Sequence, residues 1–239
     1  MAKKIYISPS SQPANAYPVG NTNEQEQCRR IAAALEMELN CCDFIARAGL
    51  SGTMYTRTEE SNAFGADLHL PIHTNACNGK VAGLRIMVSK KGGEAEKIAK
   101  AIMETLAPIT PGKSDNISEY PNLYEIKNSK APCVYIEVGF HDNVEEAQWI
   151  IDHTQDIAVA ICNGLCNHYG VEYASDCTEP EKPAEAPVED ATEESEYIYR
   201  VTNASGKQVG AYLVESNAFG KVRELLKSEG AAGITYKKR

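Results

Sequence analysis

Three residues far apart in the chain could together hydrolyse an amide. His73 closes a short apolar run, Leu68-His69-Leu70-Pro71-Ile72, and Thr74 and Asn75 follow it at once. A neutral imidazole at the end of a buried strand is a good zinc ligand; it can equally end the strand by bonding a nearby carbonyl. Glu137 stands in a second apolar run, Cys133-Val134-Tyr135-Ile136-Glu137-Val138, ahead of the turn residues Gly139 to Asn143. A carboxylate in such a strand is costly unless it is paired or bound to something. Glu24 opens an amphipathic helix, where it either complements the helix dipole or adds a charged group to a site. One carboxylate and one imidazole are zinc ligands by type. A second carboxylate can take a proton from an attacking water and return it to a leaving amine. Metal-assisted hydrolysis of an amide is the chemistry this set allows.

The elements that must position these residues alternate between strand and helix. Lys4 to Pro9 alternates around Ile5 and Ile7 as a first strand, and a long polar loop follows, Ser10 to Asn21. Thr22 with Gln25 fits a capping box, and Cys28, Ile31, Ala32, Leu35 and Leu39 then recur at helical spacing to about 42. Strands are expected at 43–48, 67–73, 81–89 and 133–138. Helices are expected at 56–65, 93–106, 143–151 and 154–169, with 108–122 read as a loop carrying three prolines. The alternation predicts an α/β domain, a mixed and mostly parallel sheet flanked by helices on both faces. In such sheets, sites form at strand ends. His69 lies four residues before His73, about 13 Å at strand rise, too far to share an ion with it, and reads as a core histidine. His153 and His168 read as helix-end or surface residues.

Composition bounds the rest. The 239 residues carry a net charge of −9, and hydrophobic residues make up 43%, enough for a real core. Most of the acidity sits between Asp176 and Glu196, where prolines alternate with Glu and Ala. That stretch reads as a solvated linker, and the nearly neutral remainder excludes a nucleic-acid binder built on a broad basic face. No run is long and apolar enough to insert in a membrane. Met1 leads into a strand without an apolar leader, so synthesis in the cytoplasm without a signal peptide is expected. Eight cysteines show no C-x-x-C pair and read as mostly reduced, buried and structural, with Cys77, near His73, the one open to oxidation. The expected organisation is a catalytic domain over 1–173, a linker over 174–196, and a small α+β module over 197–239. The module combines strands at 197–201, 209–214 and 234–236 with a helix at 216–229.

The segment Asp67 to Ala76 resembles the S-I-H-x-N-A signature of zinc-dependent N-acetylmuramoyl-L-alanine amidases of the amidase_3 type. Ile136 to Asn143 resembles that family's V-E-x-G-F-x-x-N segment, and Asn23-Glu24 its N-E at a helix start. The resemblance covers residues 3 to 170. It implies a zinc enzyme that cuts the bond between N-acetylmuramic acid and L-alanine in peptidoglycan, acting on the cell wall after release or export. Carried over, Glu24 and His73 bind zinc, Glu137 is the catalytic carboxylate, and Asn75 and His141 line the substrate groove. The family's first histidine ligand has no counterpart, since its position falls on Ala14. Gln12 and Asn15 are then the candidates to complete the sphere, with Gln12 preferred. The missing ligand also motivates a second reading, an inactive amidase fold that binds peptidoglycan without cutting it. The C-terminal segment resembles part of a SPOR-like wall-binding module. With only one βα unit clear, it is expected to pair between chains as a homodimer. A phage or prophage endolysin, or an autolysin, is the implied biological type.

Overall fold

Alternation along the first strand gives the sheet two unlike faces. In β1 (Lys3–Pro9), Ile5 and Ile7 point one way and Tyr6 and Ser8 the other, and all four are buried. The same split recurs in β3 (Leu68–Asn75), with Leu68, Leu70 and Ile72 opposed to His69 and His73. It recurs again in β6 (Tyr135–Phe140), with Ile136 and Val138 opposed to Tyr135 and Glu137. The aliphatic side forms one core with residues of four helices, α1 (Glu24–Cys41), α3 (Glu94–Leu106), α5 (Val144–Asp152) and α6 (Thr154–Tyr169). The other side is polar. There Tyr6 stacks on His69 with ring centroids 5.9 Å apart and bonds Glu60 of α2 (Met54–Phe64).

The computed structural model describes residues 2–174, 197–203, 205, 208–212 and 232–238. It divides into two compact units, Met1–Pro180 and Glu181–Arg239. In the first, β2 (Phe44–Ala48), β4 (Arg85–Val88) and β5 (Asn116–Glu119) complete a six-stranded sheet ordered β2-β1-β3-β6-β4-β5. All neighbours run parallel except β4 and β6. The expected mixed, mostly parallel sheet flanked by helices is what forms. Two short helices, α4 (Tyr124–Asn128) and α5 (Val144–Asp152), complete the unit. In the second unit, β7 (Tyr197–Asn203) pairs antiparallel with β8 (Gln208–Tyr212) and β9 (Ala232–Lys238). The acidic stretch 175–196 and the helix expected at 216–229 lie outside the described residues. Among the described residues no helix is long and apolar enough to cross a membrane.

Several boundaries differ from the sequence reading, each for a local reason. The cap of α1 is Asn23, whose side chain accepts from Glu26 N at 3.0 Å, because Thr22 is already engaged by Glu26 and Gln27 side chains. The strand expected from 81 begins only at Arg85. Asn78 Oδ1 gathers the N–H groups of Lys80 and Val81 into a turn, and Gly83 adopts φ +118. The proline-rich stretch holds β5, an edge strand paired only to β4, so its polar residues face water and show no apolar alternation.

Helices α3 and α6 touch closely at Gly164. A Cβ there would meet Ile102 Cα at 2.7 Å and Ala101 O at 2.9 Å, both backbone. Alanine in a helix interior normally adds stability, but here the clash dominates. Gly164→Ala is expected to destabilise the fold by about 1–3 kcal/mol, read by urea denaturation.

Candidate active site

The site forms where β3 and β6 end side by side at the middle of the sheet. His73 and Glu137 are partners in the parallel register, so their side chains leave the same polar face of adjacent strands. A third group arrives from α1. The loop before that helix folds back on itself through a bridge between Ala16 and Asn23 and a bond from Glu24 N to Asn15 O at 2.9 Å. This places Glu24, fully buried, with Oε1 2.9 Å from His73 Nδ1. Thr74 N also donates to that oxygen at 3.3 Å, and Asn15 Nδ2 donates to Oε2 at 2.5 Å. Gln12 Nε2 lies 3.5 Å from His73 Nδ1, and Gln12 Oε1 accepts from Asn15 Nδ2 at 3.3 Å.

The other edge of the imidazole faces a group that the sequence reading passed over. Glu125 of α4 has Oε2 4.0 Å from His73 Nε2, and its Oε1 lies 3.2 Å from His69 Nε2. Ser8 donates its hydroxyl to Glu125, and Arg57 Nε donates to Ser8 Oγ at 3.0 Å. Ser8, Arg57, His69 and Glu125 are all buried. His69 is thus the core histidine expected, held by a buried carboxylate that also lies near His73. Tyr135 stacks on the His73 ring with centroids 4.5 Å apart and fixes its plane. Two buried atoms at the centre have no hydrogen-bond partner, His73 Nε2 and Glu137 Oε2.

The two carboxylates are driven to opposite protonation behaviour. Burial pushes Glu137 up to about 7; the facing His73 opposes this and the nearby charge of Glu24 adds to it. Burial also acts to raise Glu24, but bonds from His73, Asn15 and Ser10 outweigh it and hold this carboxyl below its ordinary value. A charged acceptor therefore lies beside a carboxylate poised near neutrality, the pattern that separates a ligand or electrostatic role from an acid–base role.

His141 and Asn75 sit at the margin. His141 is buried, stacks on Tyr17 with centroids 5.4 Å apart, and has Nδ1 3.0 Å from Thr74 Oγ1. Asn75 is half-buried, its Oδ1 accepting from Ala76 N at 2.8 Å and its carbonyl accepting from His141 N at 2.8 Å. The next turn is shaped by Asp142, which accepts from Cys77 N and Gly79 N, each at 2.9 Å.

Donors bound to one zinc ion at about 2.0–2.2 Å stand roughly 3.3–3.6 Å apart in a tetrahedron. Glu24 Oε1, at 2.9 Å from His73 Nδ1, stands a few tenths of an ångström inside that spacing, and the Gln12 atom at 3.5 Å is the amide nitrogen, Nε2. The carboxylate and the imidazole are thus two ordinary donors for a cation, and Gln12 joins them only with its amide turned so that Oε1, which accepts from Asn15, faces the ion. Among the described residues no third His, Cys, Asp or Glu joins Glu24 and His73 as a ligand group.

The fold is thus a mostly parallel α/β sheet that carries, at its central strand ends, a buried carboxylate–imidazole pair and a second carboxylate with one unpartnered oxygen. The family model described as N-acetylmuramoyl-L-alanine amidase matches residues 15–167, and the chain belongs to that family. Among solved structures, the N-acetylmuramoyl-L-alanine amidase of Clostridium difficile 630 aligns over 71% of this chain and 97% of its own at 22% identity, with a TM-score of 0.63. The catalytic domain of CwlV, an amidase from Bacillus (Paenibacillus) polymyxa var. colistinus, aligns over 71% of this chain and 99% of its own at 17% identity, TM-score 0.62. The catalytic domain of the CD27L endolysin targeting Clostridia difficile gives 20% identity over 69% of this chain and 97% of its own, TM-score 0.58. At these identities the likeness is one of fold. A curated relative, the "Uncharacterized 38.4 kDa protein" of Clostridium perfringens, is 30% identical over 122 residues, 49% of this chain; the match spans 36% of that protein's length.

Proposed function

We propose that this chain hydrolyses the amide bond between the lactyl group of N-acetylmuramic acid and L-alanine in peptidoglycan, as an endolysin of phage or prophage type or as an autolysin. The observation that carries this reading is the buried, unpartnered Oε2 of Glu137 next to the Glu24–His73 pair. In the proposed reaction Glu137 takes the proton of the attacking water and delivers it to the nitrogen of the leaving alanine. A pKa near 7 suits both halves of that transfer. Glu24, His73 and the amide oxygen of Gln12 would hold zinc. When bound, the ion supplies Lewis acidity to the scissile carbonyl and acidifies the water. Tyr135 and Glu125 keep the His73 ring in one plane and orientation, as outer partners of metal-binding histidines do. Asn75 and His141 would contact the substrate at the groove margin.

The test is clearing of a suspension of purified peptidoglycan, with and without added zinc. The reading expects clearing that a chelator abolishes and zinc restores. Binding to the wall without clearing under every metal condition would instead favour the non-cutting reading, which the amide in place of a third ordinary ligand supports. Gln12→His would put an imidazole where the amide now stands. It is expected to tighten zinc binding about tenfold or more, by the preference of zinc for nitrogen over amide oxygen, and calorimetric titration reads the change. The rate should rise with pH through about 7 as Glu137 loses its proton, and a pH profile of clearing checks this.

The same reading takes 1–173 as the catalytic domain, 174–196 as a linker, and 197–239 as a SPOR-like wall-binding module that raises local substrate concentration by tethering. The antiparallel three-stranded sheet of β7, β8 and β9 supports a separate module. Pairing of two chains through it would appear as a dimer in sedimentation of the full chain.

A further inference from the structure

Three thiols meet at the end of α1 remote from the amidase site. Cys42 caps the helix's C-terminus, and Cys162 and Cys166 sit one turn apart on the same side of α6. All three are buried, and their sulfurs lie within 4.8 Å of one another, Cys42 to Cys162 at 3.8 Å. Sulfurs sharing one ion at about 2.3 Å stand about 3.8 Å apart in a tetrahedron and about 4.0 Å apart in a triangle. The Cys42–Cys162 separation is that of two ligands to a common ion, and Cys166 lies close enough to both to serve as the third. The backbone N–H of Ala174 donates to Cys42 Sγ at 3.4 Å, the kind of outer contact that orients and stabilises a bound thiolate. Free nucleophiles are a poor account of the group, since burial pushes Cys166 up to about 11 and raises Cys162 further. The α1 helix spans 18 residues, about 27 Å, from Glu24 to its far end, so the cluster is separate from the proposed reaction.

We propose that Cys42, Cys162 and Cys166 form a trithiolate site for one thiophilic d10 cation of the copper(I), zinc and cadmium class, which staples the end of α1 to α6. Soft thiolate donors select such ions over oxygen-seeking ones. The bound ion closes the chain between positions 42 and 162, far apart in sequence, as a structural clip.

The experiment uses the full chain, reduced, stripped with chelator under denaturing conditions, and refolded with cadmium as the probe. The expected result is one thiolate-bound cadmium per chain, seen as a thiolate-to-cadmium charge-transfer band and as three sulfur neighbours in X-ray absorption. The band persists in His73→Ala, Cys41→Ser and Cys77→Ser, and is lost in Cys162→Ser and in Cys166→Ser. Absence of the band in the unaltered chain overturns the proposal, as does its survival in either α6 serine variant. Should those variants not fold, X-ray absorption of the unaltered chain decides. Three sulfur neighbours support the site, and fewer overturn it.

Discussion

Glu137→Gln is expected to leave a folded protein whose clearing of peptidoglycan falls by about 10²–10⁴, the range that general acid–base groups contribute. Glutamine keeps the size and shape of the side chain but cannot carry a proton between water and amine. The same substitution should raise stability above neutral pH in metal-free protein. Burial raises the folded-state value of Glu137 to about 7, above its ordinary 4.5. The folded chain thus binds this proton more tightly than the unfolded one. Its contribution is full below about 4.5 and is lost as pH rises through 7, a difference of order 3 kcal/mol. Thermal unfolding of metal-free Glu137→Gln should therefore exceed that of the parent at pH 8 and match it near pH 4.5. A variant that clears as fast as the parent removes Glu137 from its role.

His73→Ala is expected to have the second large effect. It removes the imidazole that holds Glu24 at 2.9 Å and faces Glu125 at 4.0 Å. Clearing should fall to background, and zinc uptake measured by calorimetry should drop by one ion per chain relative to the parent. That difference excludes ions bound elsewhere in the molecule. The cost to stability is about 1–3 kcal/mol or more, because a buried carboxylate loses its partner. If zinc uptake and clearing are unchanged, the Glu24–His73 pair is a structural contact and holds no ion.

The parts of this account that were legible in the sequence share one property: each is written in a local pattern. Ile5 and Ile7, Leu68 to Ile72 and Ile136 to Val138 show their strands by alternation or by continuous apolarity, and the core lies on them. His73 and Glu137 stood out because polar groups interrupt apolar runs. Features set by contacts between distant segments were not legible. Glu125 acts through His69, 56 residues away, and its helix of five residues lies in a polar stretch with no period to display. Strand β5 shows no pattern in the sequence because an edge strand has no need of an apolar face. Thr22 and Asn23 are both good caps, and only the side-chain partners of Thr22 decide between them. The cysteines read as buried structural residues with no cluster among them, because Cys42 and Cys162, though 120 residues apart, meet only in the fold.

If Glu24, His73 and Glu137 cut the bond to L-alanine, as proposed, the chain ends made during clearing reveal it. Peptidoglycan digested by the zinc-supplemented protein should gain new amino termini belonging to alanine alone, matched by lactyl carboxyl groups on the glycan. New reducing sugar ends, or amino termini of any other residue, would contradict the account.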